Sequence, residues 1–100
     1  MGTRYFRVNE GFADVGTTRY ITVATSPATQ IVLTSGFTAM IIFNHGTSNM
    51  IWGDSNISVN SGNYHFVNGR IEHTNLQDGW STYYRADSVN GLISISEYGV

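Results

Sequence analysis

The chain has no cysteine and no lysine, a single proline and little charge. Without cysteine there are no disulfides and no thiolate metal ligands, and redox compartment leaves no mark on the sequence. Without lysine, all five cations are arginines: Arg4, Arg7, Arg19, Arg70 and Arg85. Charged residues make up 12% of the chain, about half the usual share. The formal net charge is −2, with no basic run. Nucleic-acid binding depends on clustered cations that neutralise phosphates, so five scattered arginines argue against a nucleic-acid partner. No apolar run approaches the ~20 residues of a membrane span, which argues against a membrane partner. The opening Met-Gly-Thr-Arg-Tyr-Phe-Arg has no apolar export core, so the chain is expected to act where it is made.

What is present is a globular composition. One hundred residues suit one domain, and a chain this size buries roughly 60–70% of its unfolded surface. The hydrophobic share of 41% is ordinary. Polarity comes from Asn, Ser, Thr and Gly, whose neutral groups cost less to desolvate than charges. Such a surface suits packing against copies of the chain or other proteins.

Short runs rich in β-branched and aromatic residues are separated by Gly, Asn, Ser and Asp, the pattern of strands and turns. They cover 20–25, 30–34, 38–44, 49–52, 56–59, 64–67, 70–74, 80–86 and 92–97. Their starts fall about ten residues apart, as in sandwiches and barrels. No window sustains helical spacing, so no long helix is expected. Residues 1–19 hold three of the five arginines and only isolated apolar residues. They are expected to form an extended N-terminal arm, with one short strand over 5–8, ahead of a domain over 20–100. Pro27 is expected in the turn between the first two runs. The expected fold is all-β, a single-domain antiparallel β-sandwich.

Two stretches allow a finer reading. Asn68-Gly69 is a two-residue hairpin signal, because both positions tolerate positive φ. Pairing outward from it sets Val67 opposite Arg70, Phe66 opposite Ile71, His65 opposite Glu72 and Tyr64 opposite His73. One face would then carry Tyr64, Phe66, Ile71 and His73, and the other His65, Val67, Arg70 and Glu72. In the second stretch, Ala39, Ile41 and Phe43 alternate with Met40 and Ile42. Both faces of that strand are apolar, so both need cover, from the arm or from another subunit.

Catalytic and metal motifs are missing. His65 and Glu72 lack a third converging ligand. His45 sits in the turn Asn44-His45-Gly46. Asp54-Ser55-Asn56 starts like a calcium loop, but Val59 and His65 stand where glycine and the bidentate glutamate belong. There is no nucleophile elbow, no paired carboxylate motif and no phosphate loop. No enzyme activity, cofactor or metal is expected. Trp52, Trp80, Tyr83 and Tyr84 remain as candidates for a surface or a core. Trp80, Thr82 and Tyr84 share one strand face, and Tyr83 and Arg85 the other. Trp80 and Tyr83 are the candidate ligand-binding aromatics.

The run Met40-Ile41-Ile42-Phe43-Asn44, the turn Gly46-Thr47-Ser48, then Met50-Ile51-Trp52-Gly53-Asp54 and Ile57-Ser58-Val59 resemble a segment of small tailed-bacteriophage virion proteins. Trp80-Ser81-Thr82-Tyr83-Tyr84-Arg85-Ala86 and Leu92-Ile93-Ser94-Ile95-Ser96-Glu97 are similar to later strands of that family. The likeness spans roughly residues 38–97 and has no counterpart for the arm. It implies a jelly-roll-like β-sandwich located in the virion and made in the host cytoplasm. It also implies a homo-oligomer, frequently a trimer, in contact with the major capsid protein or another virion protein. The expected role is capsid decoration, a cement stabilising the head by added contacts between capsomers. The alternative is a tail-fibre, baseplate or head-fibre module binding host carbohydrate. Under this resemblance Tyr5, Phe6 and Arg7 are the expected capsid contacts, and Met40 and Ile42 the expected oligomer interface.

Overall fold

The computed structural model describes residues 16–99. They form eight strands: β1 Thr17–Val23, β2 Thr29–Val32, β3 Ala39–Asn44, β4 Met50–Gly53, β5 Asn63–His65, β6 Arg70–His73, β7 Ser81–Ala86 and β8 Gly91–Tyr98. No helix occurs among the described residues. Two four-stranded antiparallel sheets pack as a β-sandwich-like pair, one in the order β1-β8-β3-β6 and the other β2-β7-β4-β5. The pairing is nested. From the β4–β5 hairpin outward, β3 pairs with β6, β2 with β7 and β1 with β8. The β3–β8 and β4–β7 ladders then join these pairs into sheets.

Alternation along each strand builds the core. Val23, Met40, Ile42, Ile93 and Ile95 project from the first sheet, and Ile31, Met50, Tyr84 and Ala86 from the second. Each fully buried aliphatic chain contributes roughly 1.5–3 kcal/mol relative to exposure. On β3 the opposite face is also buried at Ala39 and Ile41, in keeping with the apolar character of both faces. At one end a polar clasp ties the sheets together. Buried Glu97 on β8 accepts from Thr34 N (2.7 Å) and Thr34 Oγ1 (2.9 Å). It also pairs with Arg19 at 3.6 Å, and Arg19 donates to the Val32 carbonyl of β2.

The structure departs from the sequence expectations in three places. β1 begins at Thr17, so residues 17–19 belong to the sheet rather than to an arm. Residues 1–15, including the strand expected over 5–8, lie outside the described residues. The run 56–59 is not a strand. It forms part of a loop that folds over the outer side of β4, where Ile57 and Ile51 are both buried. Gly62 lets that loop close: its φ is +145°, and an added Cβ would collide with Ile51 Cγ2.

The third departure is the hairpin at Asn68-Gly69. β5 lies in the second sheet and β6 in the first, so the expected register between them does not exist. Asn68 does take positive φ, at 63°. It does so as the third residue of a turn closed by Gly69 N donating to Phe66 O (2.8 Å). A turn centred on Val67–Asn68 with one left-handed residue does not match the twist of a two-residue hairpin, for which both central residues need positive φ. The chain crosses between sheets instead. The two faces are also exchanged: His65 is buried, whereas Tyr64 and Phe66 are 53% and 60% exposed.

Candidate functional site

Asn44 anchors the crossing. It ends β3 fully buried, and its side-chain amide makes three hydrogen bonds. Nδ2 donates to the Ser48 and His65 carbonyls, and Oδ1 accepts from Gly46 N. Its backbone donates to Gly69 O and accepts from Asn68 N. His65 completes the joint. A carbonyl can only accept, so the 2.7 Å contact to Gly69 O puts the proton on Nε2. Nδ1 is then an acceptor, and the Tyr84 hydroxyl donates to it at 2.8 Å. Burial lowers the His65 pKa, partly offset by the bond to Gly69. Burial raises that of the Tyr84 phenol. Both groups are held neutral.

From Tyr84 an aromatic cluster runs between the sheets. Trp52 on β4 stands opposite Tyr84 in register and stacks on it, with centroids 6.4 Å apart. His73, at the end of β6, meets Trp52 edge-on at 5.0 Å and Trp80 at 4.9 Å. Burial, and then the neighbouring His65, lower the His73 pKa. Trp52 Nε1 and His73 Nε2 are buried and find no hydrogen-bond partner among the described residues.

Trp80 forms one wall of a cleft of about 520 Å³, completed by Asn75, Leu76, Gln77, Asp78 and Gly79. Backbone bonds hold this loop in place. Leu76 N donates to Thr38 O (2.9 Å), Trp80 N to Gln77 O (3.0 Å) and Gly36 N to Asp78 Oδ1 (3.3 Å). Asn75 and Gly79 supply the positive φ values, 58° and 88°. Leu76 packs against the core beneath.

The outer face of the first sheet is a second surface. Its outward positions on β1, β8 and β3 carry no charge. His45 packs against Phe43 (4.6 Å) and Tyr20 (5.7 Å) and bonds Ser94 Oγ through Nε2. Tyr20 is 65% exposed and Leu92 39%.

Tyr5, Phe6 and Arg7 lie outside the described residues. Met40 and Ile42 have no exposed surface and belong to the core between the sheets. The residues on the opposite face of β3 are Ala39, Ile41 and Phe43. Trp80 is partly buried and borders the cleft. Tyr83 alternates with buried Thr82 and Tyr84, and so lies with Arg85 on the outer face of the second sheet. His65 and Glu72 are not neighbours: His65 stands opposite Met50, and Glu72 opposite Ile41. Among the described residues no three His, Asp or Glu side chains converge on a point. Sequence reasoning did not single out the cleft, because Asn75 and Asp78-Gly79 look like plain turn residues. The available signal was His73 and Trp80 flanking that polar turn. The chain matches no family model, no curated protein and no solved structure.

Proposed function

We propose that this chain is a jelly-roll structural protein of a bacteriophage virion, a decoration protein that cements the head by bridging capsomers. The observation that carries the reading is the nested pairing about the β4–β5 hairpin, with sheet orders β1-β8-β3-β6 and β2-β7-β4-β5. Eight strands nested in two four-stranded sheets support a jelly-roll reading, an architecture that recurs in viral capsid and lectin domains. A second support is the uncharged outward surface of β1, β8 and β3, with Tyr20, Phe43 and Leu92 on it, bordered by Arg70 and Glu72 of β6. Neutral hydroxyls and aromatic rings are cheap to desolvate and anchor interfaces well. On this reading that face joins copies of the chain, as a trimer, and Tyr5, Phe6 and Arg7 reach the major capsid protein.

The test is co-sedimentation with head shells of the virus whose genome encodes the chain. The intact chain is expected to bind. A version lacking residues 1–15, which keeps β1 whole, is expected to retain its circular dichroism and lose binding. Absence of binding by the intact chain overturns the decoration role. Binding that survives the truncation overturns the role of Tyr5, Phe6 and Arg7.

A further inference from the structure

We infer that the 75–80 cleft is a binding subsite for a neutral saccharide. A sugar ring presents a C–H face that packs on an aromatic ring, and hydroxyls that both donate and accept hydrogen bonds. The cleft supplies matching groups. Trp80 borders the cleft, and its ring lies 4.9 Å from that of His73. Asn75 and Gln77 carry exposed amides with no partner among the described residues, and each amide both donates and accepts. Asp78 has one carboxylate oxygen engaged by Gly36 N and contributes acceptor capacity beside them.

The loop is already shaped. Its bonds to Thr38 and Gly36 tie it to the β2–β3 connection, so little ordering remains at binding. Charge selects the ligand class. The cleft has one carboxylate and no cation, so phosphates and acidic sugars meet repulsion with nothing to offset it. A metal ion would find a single carboxylate there. The cleft is formed by the loop ahead of β7, whereas the assembly surface is the outer face of β1, β8 and β3. The saccharide site therefore stands or falls apart from the virion role.

The experiment uses the two tryptophans. A Trp52→Phe variant leaves Trp80 as the only indole emitter. It is titrated with maltotriose, cellotriose, lactose and tri-N-acetylchitotriose, and with sialyllactose as the acidic comparator. The expected result is a saturable emission change with at least one neutral sugar, weakened about tenfold or more by adding Asn75→Ala and Gln77→Ala. Calorimetry of the unaltered chain with the same sugars gives an independent reading should Trp52→Phe fail to fold. Three results overturn the inference: no saturable heat or emission change with any neutral sugar, affinity unchanged by the two alanines, or stronger binding of sialyllactose.

Discussion

Two buried side chains, Asn44 and His65, bond the turn that carries the chain from one sheet to the other. Asn44 bonds the Ser48 and His65 carbonyls and the Gly46 N–H, the two carbonyl contacts being buried. Orphaned buried polar groups cost about 1–3 kcal/mol each, and relaxation recovers part of that. Asn44→Ala is therefore expected to lower stability by about 2–4 kcal/mol in urea denaturation, a large share of a small domain's total. His65 gives a pH signature. Its folded pKa lies below the unfolded value of about 6.5, so the unfolded chain takes up protons first as pH falls. The stability contributed by the neutral ring is complete above about pH 6.5 and declines as pH falls through that value. His73 acts in the same direction. Melting temperature measured between pH 7.5 and 5 is expected to fall, and the slope to shrink in His65→Gln. An unchanged slope would show that His65 does not carry the pH dependence.

Among elements, the turn after β5 and the loop after β4 set where strands go. Asn68 holds positive φ, which asparagine tolerates and β-branched residues do not. Asn68→Val is expected to cost about 1–2 kcal/mol, and Asn68→Gly a few tenths at most. Equal costs would show that the turn does not constrain the crossing. Gly62→Ala places a methyl group against Ile51 Cγ2 at an unfavourable φ. A loss of about 1–3 kcal/mol is expected from thermal denaturation. Here local sequence signals were read in part. Asn68-Gly69 was legible as a turn, yet which of its residues occupy the central positions depends on the bonds of Asn44 to both of them. The run 56–59 has strand composition but pairs with no strand among the described residues, and its Ile57 is buried beside Ile51 instead.

At the scale of the whole molecule, the low charge of the sequence turns out to be concentrated in its effect. Outward positions on three adjacent strands carry none, and Tyr20 stands out from them. If copies of the chain meet on this face, Tyr20→Glu puts a charge into the contact at an exposed position where folding does not depend on it. Light scattering of the intact chain is expected to show a trimer of 11.0 kDa subunits. The variant is expected to run as a folded monomer. A monomeric intact chain would argue against assembly through this face.

Alternation and spacing were enough to establish an all-β chain, with eight of the nine runs matching strands to within three residues. The facing of β7 was equally legible, since a period of two is a local property. The partner of each strand was not. Burial of both faces of β3 was readable from its residues, but the choice of Met40 and Ile42 for the core required knowing which sheet lies across from it. The same holds for the aromatic cluster that Trp80 joins. Trp52, His73 and Trp80 come from separate elements, and only the crossing of the chain between sheets after His65 brings them together. Pairing across sheets depends on contacts between residues distant in sequence, and these form only in the folded molecule.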